Sequence, residues 1–203
     1  MLLRDDLLTD TVTNILMVGV GGQGIILASD ILAESLMEAG FDVKKSEVHG
    51  MAQRGGSVTS HVRFGKKVYS PLIGKRRVDI LYSLEMLEAL RSIDFLKSDS
   101  FIILNDYRLN PPSVSLGVEE YPEGIYDIFR RYFSKVKLIG GVDLARKNGN
   151  PRTVGIIILG YLSLCLDVPE DIWRSVIRRR VPKKVVDVNL SAFDIGRGID
   201  RVS

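Results

Sequence analysis

NILMVGVGGQG, residues 14–24, is an apolar run of strand character that turns into a glycine-rich loop and then into a helical pattern. Gly19, Gly21 and Gly24 satisfy the spacing G-x-G-x-x-G, and Gly22 leaves the loop barer still. A loop without Cβ atoms can reverse sharply and bring its N–H groups against an anion, beside the positive end of the following helix. The stretch therefore predicts the first strand, turn and helix of an α/β domain. A pyrophosphate or similar anion is the natural guest of Gly19, Gly21, Gly22, Gln23 and Gly24. The same turn can also serve only to let the helix pack closely on the sheet. A nicotinamide-binding reading asks in addition for an acidic residue near the end of the second strand, to hold a ribose. Asp42 stands at that strand's entrance, and Glu47 runs straight into a polar loop rather than a second crossover helix, so the dinucleotide reading weakens there.

Working outward, Ile25, Ala28, Leu32 and Leu36 recur at three- and four-residue spacing and give the helix one apolar face, with Gly40 as its stop. FDVKKSEV reads as a short strand. SVTSHVRF then alternates, which puts His61 on the polar face as a solvated or hydrogen-bonded histidine, and GKK turns into VYSP to make a hairpin over 57–70. Apolar strands follow at 78–84, 101–105 and 136–140, separated by helical or longer segments. Residues 111–121 are irregular and YPEGIYDIFRRYF is a short helix. The last quarter is helical: TVGIIILGYLSLCL, PEDIWRSVIRRR with Pro169 in its first turn, and VVDVNLSAFDIGRG. The expected fold is α/β, a mainly parallel sheet with helices on both faces, an antiparallel hairpin addition and a helical C-terminal quarter.

Length bounds the organisation: 203 residues suit one domain over 1–203, with 1–13 as an N-terminal tail. Two aspartates stand in that tail where a secretory signal would be basic and then apolar. A net charge of +3 is too small to imply a nucleic-acid partner. The longest apolar stretch, 154–166, falls short of the roughly 20 residues that span a bilayer, so no membrane partner and a cytoplasmic location are expected. The single cysteine, Cys165, reads as a small buried hydrophobe. One thiol cannot hold an iron–sulfur cluster, which takes four thiolates. No Walker lysine, H-E-x-x-H, C-x-x-C or G-x-S-x-G occurs, nor the G-D-G segment of a thiamine diphosphate site. The chain carries binding loops without a catalytic engine, which points to a subunit that shapes a site shared with another chain.

The second such loop is HGMAQRGGS, residues 49–57, placed after a strand at the same kind of sheet edge as the first. Arg54 can grip a phosphate or carboxylate in bidentate fashion, Gly55 and Gly56 keep the approach open, and His49, Gln53 and Ser57 add polar groups around it. A polar hairpin with an exposed arginine is the plainer alternative. The basic run Arg178, Arg179, Arg180, Lys183 and Lys184 is either a surface for a partner or a solvated helix end.

GVGGQG at 19–24, SEVHGMAQRGGSV at 46–58, VDILYSLE at 78–85, NPR with a following LG at 150–160, and NLSAF with a glycine at 189–196 together resemble the γ-type subunit of 2-oxoacid:ferredoxin oxidoreductases, most nearly the β-subunit type of the indolepyruvate branch. One position departs: many relatives have an asparagine where this chain has Gly155. The resemblance implies that a larger partner subunit carries thiamine diphosphate and iron–sulfur clusters, that electrons reach ferredoxin through the complex, and that coenzyme A takes the acyl group. It implies that the two loops close the cleft and help hold coenzyme A, that this chain binds no cofactor or metal alone, and that no residue of it is catalytic. A free-standing nicotinamide oxidoreductase and a purely structural interface subunit are the alternatives.

Overall fold

The computed structural model describes residues 12–49 and 56–200. β1 (Thr13–Val20) leads through the glycine turn into α1 (Ile25–Glu38), then come β2 (Asp42–His49), β3 (Ser57–Gly65) and β4 (Val78–Ser83). α2 (Met86–Arg91), β5 (Leu96–Asn105), α3 (Pro112–Ser115), α4 (Ile125–Tyr132), β6 (Lys135–Ile139) and α5 (Gly141–Lys147) follow, and α6 (Val154–Ser163), α7 (Glu170–Arg180) and α8 (Val186–Gly198) complete the C-terminal quarter.

The six strands form one sheet in the order β2-β3-β1-β4-β5-β6. β1, β4, β5 and β6 run parallel, and β3 runs antiparallel to both β1 and β2. Burial on both faces explains the uninterrupted apolar run of β1. Ile15 and Met17 face a core built with α1, α6, α7 and α8, while Leu16 and Val18 face the one built with α2 and α4. Helices therefore cover both faces, as the alternation of strands and helices predicts.

The antiparallel piece differs in composition from the expected hairpin. β3 pairs with β2 across 50–56, in register from Asp42↔Gly65 to His49↔Val58, and residues 66–77, VYSP included, form no strand. Asp42 explains part of this. Its carboxylate accepts from the Val68 N–H at 2.9 Å and from Lys44 Nζ at 2.7 Å, which pins the outgoing chain against the start of β2 rather than letting it run back along β3. The Lys44 bond and the Val68 N–H hold that carboxyl down to about 2. Two short helices, α3 and α5, also fall in stretches expected to be irregular or strand.

His61 is buried, not solvated. Its Nδ1 accepts from the Ile73 N–H at 3.2 Å, and its ring meets Phe95 edge-on. Burial pushes its pKa down. The folded chain therefore binds this proton less readily than the unfolded chain, so stability is full above the unfolded value of about 6.5 and falls as pH drops through it. Urea unfolding at about pH 7.5 and about pH 5.5 should show a lower midpoint at acid pH, and His61→Asn should shrink that difference.

Two residues of the basic run, Arg179 and Arg180, are paired within the chain. Arg179 Nη2 pairs with Glu34 Oε1 at 2.8 Å and with Glu38, and Arg180 pairs with Glu34, all across the α1–α7 contact. Burial raises the Glu34 pKa, but the bonds from both arginines outweigh it and leave it lowered.

α6 and α8 cross in close backbone contact at two glycines. A Cβ at Gly160 would collide with the Phe193 carbonyl oxygen, and one at Gly196 with that of Ile157. Gly160→Ala and Gly196→Ala should each cost roughly 1–3 kcal/mol or more through overpacking. Gly198→Ala, with open space around it, should be neutral or slightly stabilising. Denaturant midpoints of the three variants check this.

Candidate functional site

The carboxyl ends of β1, β4 and β5 meet at one edge of the sheet, and the chain leaves β1 toward one face and β4 toward the other. Such a switch point leaves a crevice. The glycine turn occupies it. Gly22 and Gly24 adopt φ of 97° and 87°, the left-handed region where a Cβ is strained, so these two positions fix the shape of the turn. The helical ladder of α1 starts with the Ala28 N–H to the Gly24 carbonyl at 3.0 Å, which leaves the N–H groups of Ile25, Ile26 and Leu27 ahead of it. No acidic residue lies in that first turn, and no side chain caps it.

Gln23 is turned inward. Its Oε1 accepts from the Val20 N–H at 2.7 Å, and its Nε2 donates to the Leu84 carbonyl at 3.4 Å, so one side chain holds the end of β1 and the exit of β4 together. Gly19 makes room for it: a Cβ there would stand 2.8 Å from Gln23 Oε1. Gly155 lies behind the turn. Its carbonyl accepts from the buried Tyr82 hydroxyl at 2.7 Å, and a Cβ at this position would reach ordinary contact with the Tyr82 oxygen and the Gln23 carbonyl.

The glycine turn meets the described end of the second loop. Gly21 N–H donates to the Gly56 carbonyl at 2.8 Å, and the β1–β3 register ends with Val20 opposite Ser57. His49 closes β2 opposite Val58. Gln53, Arg54 and Gly55 lie outside the described residues. Of the loop residues read from the sequence, Gly19, Gly21, Gly22, Gln23, Gly24, Gly56 and Ser57 thus share one edge.

Two buried carboxylates that the sequence reading passed over organise this edge. Glu85, 1% exposed, accepts from the Tyr121 hydroxyl at 2.6 Å, the Leu109 N–H at 3.1 Å and the Glu88 N–H at 2.9 Å, the last as the N-cap of α2. Glu88 accepts from Ser57 Oγ at 2.5 Å and from Arg91 Nη1 at 2.6 Å, tying the stem of the second loop to α2. Glu is not among the usual N-cap residues, which is why the cap at Glu85 carries no ready signal in the sequence. Asn105, also buried, donates to the Leu84 carbonyl at 3.0 Å and accepts from the Gly141 N–H at 3.0 Å, so it joins the ends of β4 and β5 to the start of α5.

Two cavities flank the turn. One of about 460 Å³ lies between Val20, Ser57, Glu85, Glu88, Arg91 and Asn110. The other, about 270 Å³, lies between Gly22, Leu84, Asn105, Tyr107, Arg146 and Arg152. Among the described residues, no group of three His, Cys, Asp or Glu side chains could hold a metal ion, and no helix is long and apolar enough to cross a membrane. Cys165 is half-buried and not fully buried as expected, and burial still pushes its thiol up to about 11, which disfavours a thiolate ligand.

The place where a nicotinamide-binding fold keeps its second parallel strand is taken here by antiparallel β3, so Glu47 on β2 stands two strands, about 10 Å, from β1. Asp42 lies at the opposite end of the sheet. Neither carboxylate is positioned for a ribose at the glycine turn.

An α/β fold with a glycine turn and the end of a second loop at its switch point is the class of protein defined so far. Residues 14–199 match the family described as "Pyruvate ferredoxin/flavodoxin oxidoreductase", and the chain belongs to that family: it is a subunit of an oxidoreductase acting on 2-oxoacids with ferredoxin as acceptor. It is 39% identical over 188 residues to the indolepyruvate oxidoreductase subunit IorB of Pyrococcus horikoshii, covering 90% of this chain and 93% of that one. With the subunit of the same name from Archaeoglobus fulgidus it shares 40% over 187 residues, 90% of this chain and 92% of the relative. Among solved structures, the γ subunit of a keto/oxoacid ferredoxin oxidoreductase from Geobacter sulfurreducens superposes with a TM-score of 0.66 at 22% identity, over 91% of this chain and 95% of that one. A 2-oxoglutarate:ferredoxin oxidoreductase from Magnetococcus marinus, with 2-oxoglutarate, coenzyme A and succinyl-CoA bound, gives 0.74 at 22% identity, over 96% of this chain and 32% of the longer one. The γ-type resemblance and the expected fold are thereby borne out.

Gln23 supplies a test of the edge itself. Val20 is 6% exposed, so its N–H would be left without a partner in Gln23→Ala. That variant should lose about 1–3 kcal/mol of stability, measured by denaturant unfolding, while Gln23→Glu, which keeps an acceptor oxygen, should lose less.

Proposed function

We propose that this chain is the subunit of an indolepyruvate oxidoreductase that closes the shared cleft and helps to bind coenzyme A. A larger cytoplasmic partner subunit would carry thiamine diphosphate and the iron–sulfur clusters. In the assembled enzyme, an aryl 2-oxoacid, coenzyme A and oxidised ferredoxin give the aryl-acetyl-CoA, CO₂ and reduced ferredoxin. The observation that carries the reading is the Gly21–Gly56 hydrogen bond, which sets both loops side by side at the switch point. The identity of 38–40% to indolepyruvate oxidoreductase subunits, over 90% of the chain, supports the choice of 2-oxoacid.

The division of labour follows from this chain's own groups. A single cysteine cannot supply four thiolates. Gln23 and Ser57 are already engaged within the edge, so they hold the loops in place. Ligand contact falls to the amides of the glycine turn, to the bare Gly55 and Gly56, to Gln53 and His49, and above all to Arg54. No residue of this chain acts as acid, base or nucleophile.

Arg54 is the probe. Losing a charge-assisted bond to a phosphate or carboxylate costs about 1.5–3 kcal/mol. Arg54→Ala in the assembled complex should raise KM for coenzyme A, or for the 2-oxoacid, by roughly tenfold or more, with thermal stability and assembly unchanged. Whichever KM moves identifies the ligand that the loop meets. If neither moves, the loop is an interface feature and the subunit is structural. The isolated chain should be folded, colourless and inactive toward indolepyruvate until mixed with the larger subunit.

A further inference from the structure

The smaller cavity is chemically unlike the rest of the edge. Its floor is apolar or already satisfied: Leu84 and Val154 line it, and both ends of the Asn105 amide are bonded to backbone. Among the described residues, no carboxylate lines it. Its opposite wall carries two exposed arginines, Arg146 from α5 and Arg152 from the 3-10 turn at Pro151–Thr153. Arg146 has one ion pair, to Asp143 at 3.5 Å, in which both side chains are mostly exposed. Arg152 is bonded among the described residues through its backbone, its N–H donating to Asn150 Oδ1 at 3.0 Å. Its guanidinium makes no ion pair there.

Two weakly committed guanidinium groups lining a cavity with no described carboxylate suit an anion of high charge, because a guanidinium can chelate two oxygens of a phosphoryl group. A phosphate monoester suits it better than a carboxylate: it carries about −1.5 to −2 charge near neutral pH and offers three acceptor oxygens. Size limits the guest further. A cavity of about 270 Å³ takes a phosphoryl group and the ring that bears it, not a whole nucleotide cofactor. Tyr107 also lines the cavity, and exposed Gly22 opens it toward the glycine turn.

We propose that Arg146 and Arg152 bind the phosphate monoester of coenzyme A, on the side of the glycine turn away from Ser57 and the second loop. This rests on the reading of the chain as a coenzyme A-binding subunit, and it divides the ligand's charge in two. The monoester goes to the arginine cavity, and the pyrophosphate goes to the glycine turn.

The test compares coenzyme A with 3′-dephospho-coenzyme A, which lacks only the monoester, in the assembled enzyme. The wild type should favour coenzyme A by on the order of tenfold in KM. In Arg146→Gln/Arg152→Gln the KM for coenzyme A should rise by about that factor and the KM for the dephospho form should stay, so the preference disappears. Binding of adenosine 3′,5′-bisphosphate to the complex, measured by calorimetry, should weaken in parallel. Both arginines are exposed, so thermal unfolding of the double variant should match the wild type. A wild type that does not distinguish the two forms, or a double variant that raises both KM values equally or neither, overturns the proposal. Arg54→Ala tested in the same way separates the two ideas. If it raises KM for both forms alike while the double variant changes nothing, the coenzyme A reading stands and the arginine cavity fails. If no arginine moves either coenzyme A value, both fail.

Discussion

Val20 of β1 lies opposite Ser57 of β3, and one residue later the Gly21 N–H donates to the Gly56 carbonyl. That antiparallel pairing sets the geometry of the whole carboxyl edge. Because β3 runs against β1, the loop that precedes β3 is delivered to the same end of the sheet as the loop that follows β1. Had the second crossover been another parallel strand, its leading loop would have arrived at the far end, as the reversed direction of a parallel entry requires. One inserted strand therefore converts two sequence-distant glycine loops into neighbours, and it displaces the acidic strand end that a nicotinamide site would use.

Much of this was legible from residues. The apolar run at β1, the 3.6-residue recurrence in α1 and the helical last quarter rest on local periodicity, which burial on two faces or one face imposes directly. What sequence did not disclose depended on distant partners. The pairing of β3 with β2 and not VYSP is helped by Asp42, which takes the Val68 N–H for itself. The burial of His61 depends on Ile73 and Phe95 from the segments that follow. Arg179 and Arg180 looked like a free basic surface until α1 placed Glu34 and Glu38 beside them. At the candidate site the glycines were readable because the turn needs them locally, whereas Glu85, Asn105, Arg146 and Arg152 acquire their roles only when separate strand ends converge.

The edge shows two kinds of polar residue. Gln23, Glu85, Glu88, Asn105 and Ser57 spend their hydrogen bonds on groups of this edge, and for the buried Glu85, Glu88 and Asn105 burial explains why: an unpaired polar group in that environment is costly. Arg146 and Arg152 lie further out and are only lightly engaged. The first group gives the crevice its shape, and the second leaves charge facing a guest. This separation is consistent with a subunit that contributes binding and not bond-making.

The inward Gln23 side chain has a kinetic bearing as well. With Oε1 on the Val20 N–H and Nε2 on the Leu84 carbonyl, the glycine turn is held in its final shape before any anion arrives. A turn of bare glycines would otherwise have to be ordered by its ligand, at an entropic cost set by each residue fixed. Here the Gln23 bonds complete that ordering during folding, so the wall is already shaped in the free chain.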